Sequence, residues 1–192
     1  MLTQETMKLL REIDCTVDLR DYPDDLKYMV DTNWKNEFKK PPKNRRSKEM
    51  IVLHTAAGLG AEIALIRSGA FKQSAPITEG AKGLTYVERM TDATCEGLKV
   101  QIKSMSSKYD QWLISEGQAT SLSQSQHHNA LYIVVSYDAI SNLKYHYKPR
   151  FIFESQAIHT CLKTVNMPYS KFAFDHERAI RKGICLDLRS AA

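Results

Sequence analysis

Residues 84–105 read LTYVERMTDATCEGLKVQIKSM, and residues 131–137 read LYIVVSY. In the first stretch Leu98, Val100 and Ile102 alternate with Lys99, Gln101 and Lys103, the two-residue period of a strand with one buried face. Thr85-Tyr86-Val87 is also strand-like and Glu96-Gly97 supplies a turn, so the segment is expected to form a β-hairpin. The second stretch is apolar almost throughout, as expected of a central strand covered on both faces.

Upstream, residues 47–71 (SKEMIVLHTAAGLGAEIALIRSGAF) read as a long, mostly buried helix with Ser47 as its N-cap. Gly58 and Gly60 weaken helix propensity, which suggests close packing against a sheet. Downstream, residues 147–153 around Pro149 supply another strand, residues 155–163 a short helix, residues 175–182 a further helix, and residues 184–188 (ICLDL) a last strand-like run. Residues 106–126 fit either a helix or a loop. Strands gathered in the middle and flanked by helices imply an α/β fold with a central mixed β-sheet.

Two regions follow from this reading. Residues 1–46 form a helical lead-in: Met7, Leu9, Leu10 and Ile13 share one face, residues 24–34 make a second helix, and a basic arm interrupted by Pro41-Pro42 ends it. Residues 47–192 form the α/β core with its C-terminal helix. The whole is 192 residues long, within the range of one ordinary domain.

The formal charge is +5, from 27 Lys and Arg against 22 Asp and Glu. Its distribution matters more than its size: Lys35, Lys39, Lys40, Lys43, Arg45, Arg46 and Lys48 cluster around a single acid, Glu37, leaving the rest close to neutral. Cys15, Cys95, Cys161 and Cys185 are dispersed with no CxxC pair, which argues against a zinc or redox motif. No apolar run approaches the roughly 20 residues of a membrane helix, and the N-terminus lacks a basic-then-apolar secretion layout. The expectation is a soluble cytoplasmic protein with reduced thiols and no membrane partner.

Chemistry concentrates at the hairpin. Pairing across a turn at Glu96-Gly97 brings Asp92 beside Gln101, and the strand period puts Gln101 and Lys103 on one face. The one acid in the apolar stretch from Ile51 to Ile66, Glu62, is expensive to bury unless it meets a cation or metal. Hard cations such as Mg²⁺ take oxygen ligands and keep several waters, so one or two carboxylates, an amide or backbone carbonyl and a phosphate oxygen complete a site. A neighbouring lysine orients water and stabilises charge on phosphorus, the ingredients of metal-assisted phosphodiester hydrolysis. Glu88, on the strand face of Asp92, and Glu96, in the turn, are competing acids.

At Glu62, Asp92 and Gln101-Ile102-Lys103 the sequence resembles the PD-(D/E)XK nuclease superfamily, which includes most type II restriction endonucleases. Ser104 after Lys103 is similar to the family's frequent Lys-Ser, and the resemblance spans about residues 47–160. It implies a restriction endonuclease-like core in which Asp92 and Glu62 hold Mg²⁺, Gln101 contributes its carbonyl oxygen and Lys103 positions water. Gln101 stands where the family usually carries an acid; some members have Gln or Asn there, and an inactive relative would show the same change. The implied activity is Mg²⁺-dependent cleavage of double-stranded DNA by a homodimer, leaving a 5′-phosphate. A nucleic-acid-binding protein with a degraded site, a repair, recombination or RNA nuclease of the same core, and an unrelated interaction protein are the alternatives.

Two further features bear on DNA. The basic arm, with Lys39, Lys40, Lys43, Arg45 and Arg46, is the candidate phosphate contact, or else a solvated linker. The polar run ending in Gln126, His127, His128 and Asn129 offers donors and acceptors to base edges, or else is simply a loop. Lys144, His146, Lys148 and Arg150 fit either backbone contacts or an exposed strand edge.

Overall fold

The computed structural model describes residues 2–42, 45–73, 92–109, 111–114, 130–167 and 170–189. Helix α1 (Gln4–Glu12), strand β1 (Cys15–Asp18), a short 3₁₀ turn (Leu19–Asp21) and α2 (Pro23–Glu37) precede the long α3 (Lys48–Arg67). Strands β2 (Lys72–Gln73), β3 (Ala93–Cys95), β4 (Leu98–Ser106), β5 (Leu113–Ile114), β6 (Ala130–Ser141) and β7 (Lys144–Glu154) follow. The chain continues through α4 (Gln156–Thr160), β8 (Leu162–Met167), β9 (Ser170–Phe174), α5 (His176–Arg181) and β10 (Cys185–Asp187).

The main sheet runs β1-β7-β6-β4-β3-β2, and β10 shares the outer edge of β7 with β1. Strands β4 and β6 are parallel, whereas β6 and β7 are antiparallel, so the sheet is mixed and the fold is α/β. Alternation along β4, β6 and β7 builds two cores. Val100, Ile102, Ile133, Val135 and Tyr147 face α1, α2 and α3, whereas Met105, Tyr132, Val134, Phe151 and Phe153 face Trp112, Ile114, α4, α5 and Phe174. The second layer includes a small sheet, β5-β9-β8. Its strands are too short or irregular to give a period in the sequence.

Residues 1–46 share the first core rather than standing outside it: Leu10, Val17, Leu19, Leu26 and Val30 pack with α3. The lead-in reads as helical, but residues 15–18 form a strand paired with residues 144–147, the first four residues of β7. Pro149 has no N–H to donate and sits where the β6–β7 register slips between Val134 and Val135, a bulge that a central strand with proline requires.

Helix α3 explains its glycines unequally. A Cβ on Gly60 would lie 2.1 Å from the Tyr147 hydroxyl, which donates to the Ala57 carbonyl at 3.2 Å; nothing crowds Gly58. By length and composition α3 could cross a membrane, but over half of its apolar window is buried against the sheet, as in a core helix. Ser47 caps it as expected, accepting from the Met50 N–H.

Candidate active site

Glu96 and Gly97 both have positive φ, 50° and 77°, which defines the two-residue hairpin turn between β3 and β4. A left-handed backbone costs a non-glycine residue about 1–2 kcal/mol. Glu96 is held there by its carboxylate, which accepts from the Thr3 N–H at 2.9 Å and from the hydroxyls of Thr3 and Thr6. The turn is thereby fastened to the N-terminus of α1, and Glu96, exposed and engaged by those threonines, stands apart from the candidate site.

The turn fixes the register. Ala93 pairs with Val100, so Asp92, whose N–H donates to the Val100 carbonyl at 3.1 Å, arrives next to Gln101. The Asp92 carboxylate accepts from the Ile102 N–H at 2.6 Å and lies 3.5 Å from Lys103 Nζ. Lys103 Nζ also donates to Gln101 Oε1 at 3.0 Å. Gln101 is buried, whereas the side chains of Asp92 and Lys103 keep 22% and 25% of their surface, so the cluster opens toward solvent on one side. Gln101 Nε2 is buried and has no hydrogen-bond partner among the described residues.

Glu62, on α3, lies near enough to Asp92 and Lys103 to feel their charges. Burial first, then the charge of Asp92, push its carboxyl up to about 8, with Lys103 pulling the other way. Two carboxylates that resist ionising together leave Glu62 holding its proton near neutral pH, with Asp92 paired to Lys103. A divalent cation held by Asp92 and Glu62 would take the place of that proton, so the donor set fits Mg²⁺. Among the described residues no three Asp, Glu, His or Cys side chains converge on a metal-sized site, so a cation here would have Asp92 and Glu62 as its charged ligands and complete its shell with neutral oxygens. Ser104 is half-buried on β4 and makes no hydrogen bond with the cluster among those described.

Tyr132 is a neighbour that the sequence reading passed over. It pairs with Gln101 in the parallel β4–β6 register, its ring is buried, and burial followed by the charge of Asp92 raises its proton affinity. The available signal was a phenol inside an otherwise apolar strand.

The basic arm is organised around Glu37. Burial opposes ionisation of this acid, but hydrogen bonds from the Arg46 side chain and backbone and from Lys40 hold its carboxyl down at about 2. Arg46 donates through N, Nε and Nη2 at 2.8–3.1 Å, and Lys40 at 3.0 Å. Arg45 lies over the Phe38 ring and donates to the carbonyls of Phe38 and Lys40, while Lys39 donates to Asn36 and is exposed. Much of the arm's charge is thus neutralised or fixed in place. Arg46 also contacts His54 in the second turn of α3, and the helix rise sets His54 roughly 12 Å along the axis from Glu62.

Lys43, Gln126, His127, His128 and Asn129 lie outside the described residues, as do Thr85-Tyr86-Val87 and Glu88. On the β1–β7 edge, His146 and Lys148 both engage Asp14, and Arg150 is buried beside Asp187. A comparison of the chain with family models, with curated proteins and with solved structures returned no match.

Proposed function

We propose that the protein is a Mg²⁺-dependent endonuclease of the PD-(D/E)XK type that hydrolyses double-stranded DNA in the cytoplasm, and that it acts as a type II restriction enzyme in a homodimer. The observation that carries this reading is the convergence of Asp92, Gln101 and Lys103 in one hydrogen-bonded cluster to which Glu62 is electrostatically coupled. The hairpin gathers Asp92, Gln101 and Lys103, and the charges of Asp92 and Lys103 act on the helix acid Glu62, which is the arrangement this chemistry needs.

Asp92 and Glu62 would hold the ion. When bound, Mg²⁺ supplies positive charge at the scissile phosphate and lowers the pKa of nearby water. Asp92 is oriented for this by the Ile102 N–H, so its second oxygen stays available. Lys103 directs its ammonium at the space beside Asp92, where it positions the attacking water and stabilises charge developing on phosphorus. The water gives up a proton to solvent as its oxygen bonds to phosphorus, the bond to the 3′ oxygen breaks, the leaving oxygen gains a proton from solvent, and a 5′-phosphate remains. Lys39 and Arg45 on the arm serve as backbone contacts, with Lys40 and Arg46 contributing their outward surface. A homodimer places one such centre on each strand of a palindrome.

The second reading, a DNA-binding protein without cleavage, is favoured by one observation: Gln101 is neutral where an acid would add a ligand charge. Incubation with duplexes of varied sequence and Mg²⁺, beside Lys103→Ala, separates the two. Metal-dependent cutting that fails in the variant supports the nuclease; salt-sensitive binding with no product supports the second reading.

A further inference from the structure

We propose that Gln101 is a positioning residue for Lys103 and lies outside the metal's ligand set, so that each chain takes up one divalent cation, which Glu62 and Asp92 would hold; this rests on the nuclease reading above. The amide oxygen that a ligand role would require is already committed. Gln101 Oε1 accepts from Lys103 Nζ at 3.0 Å, shorter than the 3.5 Å from the same ammonium to Asp92. The amide has only one workable orientation, because an ammonium carries donors alone and a flipped Gln101 would set Nε2 against it.

To ligate a cation, Gln101 would have to rotate its oxygen away and leave the ammonium with Asp92 as its one acceptor among the described residues. The surroundings oppose that rotation. Gln101 keeps only 5% of its surface and stands beside the buried Tyr132 ring, itself stacked on Phe153. Nε2 is already buried without a partner among the described residues, a cost the fold carries in order to keep Oε1 on Lys103. A neutral acceptor also has an advantage over an acid here: it steers the ammonium without competing with Asp92 for its charge.

The test uses the full chain and Mn²⁺ as the probe. Metal-free protein is titrated with Mn²⁺ while the electron paramagnetic resonance signal of the free ion is followed, for wild type, Gln101→Met, Lys103→Met and Asp92→Ala. The expected result is one ion per chain in wild type and Gln101→Met with unchanged affinity, and loss of that ion in Asp92→Ala. Cleavage kinetics supply the second readout. Gln101→Met lowers kcat roughly 10²-fold with KM unchanged, as misplacement of a reacting group does, and adds no further loss in a Lys103→Met background. A Gln101→Met protein that loses Mn²⁺ as Asp92→Ala does overturns the proposal alone, as do losses that multiply in the double variant. Wild type that takes up no Mn²⁺ overturns the nuclease reading and this inference with it. Thermal melting of each variant before titration separates loss of the site from loss of the fold.

Discussion

The Asp92 carboxylate accepts the Ile102 backbone N–H at 2.6 Å, so the acid that opens the hairpin is aimed by the strand that carries Gln101 and Lys103. The two side chains flanking Ile102 and the acid across from it therefore move as one unit. A slip of one residue in the β3–β4 register would turn Gln101 and Lys103 to the opposite face. The turn at Glu96-Gly97, tied to Thr3 and Thr6, guards against that slip.

Replacing Lys103 by alanine is expected to lower the cleavage rate about 10²–10³-fold, the usual loss when one preorganised charge is withdrawn from a transition state. Metal uptake is expected to persist, because an ammonium is not a ligand. Single-turnover rates beside a Mn²⁺ titration check both halves; a variant that cuts at the wild-type rate removes Lys103 from its assigned role.

Metal-free protein is expected to lose stability as pH rises. Glu62 titrates near 8 when folded and near 4.5 when unfolded, so between those values the folded chain holds a proton that the unfolded chain has released. Unfolding then becomes easier with increasing pH. Melting temperatures recorded across this interval in chelator should fall for wild type and stay flatter for Glu62→Gln. Equal slopes in the two proteins would assign the dependence to another group.

Glu37 behaves in the opposite sense. Its folded carboxyl titrates near 2 against 4.5 unfolded, so its contribution is present above 4.5 and disappears as pH falls toward 2. Glu37→Gln is expected to cost about 3 kcal/mol near neutral pH, the low end for breaking a buried pair, because Arg46 and Lys40 can turn to water. Denaturant unfolding of both proteins should show the difference shrinking in acid. A constant difference would mean that the carboxylate charge is not its source.

Gly60→Ala is expected to destabilise the fold by about 1–3 kcal/mol through overpacking against the fully buried Tyr147 ring. Tyr147→Phe removes the closest contact, at 2.1 Å, while those at 2.6 and 2.8 Å remain. The alanine should therefore cost less in that background. Identical costs in both backgrounds would show that helix α3 shifts instead.

Much of the site is legible in the sequence because hairpin geometry is local. A two-residue turn at Glu96-Gly97 dictates that Asp92 meets Gln101, and the strand period dictates that Gln101 and Lys103 share a face. The buried strand at residues 131–137 and the Ser47-capped helix carry equally local signals. What could not be read depends on tertiary contacts. Cys15–Asp18 is too short to show a period and becomes a strand because β7 offers an open edge. Leu113-Ile114 joins a second sheet only because β9 lies alongside. The pairing of Arg46 with Glu37 spans nine residues across a proline pair and turns a run that reads as free charge into a folded clamp. Gln101 Oε1 looks like a ligand atom in the sequence, and only the geometry shows Lys103 already bound to it.

The central claim is that Glu62, Asp92, Gln101 and Lys103 form a metal-dependent phosphodiester-cleaving centre. Its most direct test is the initial rate of cleavage of supercoiled plasmid DNA by purified wild type and Asp92→Ala, each with Mg²⁺ and with chelator. The account predicts linear or nicked product with 5′-phosphate ends from wild type with Mg²⁺ alone, and none from Asp92→Ala. Cleavage by Asp92→Ala at the wild-type rate, or equal cleavage in chelator, would contradict it.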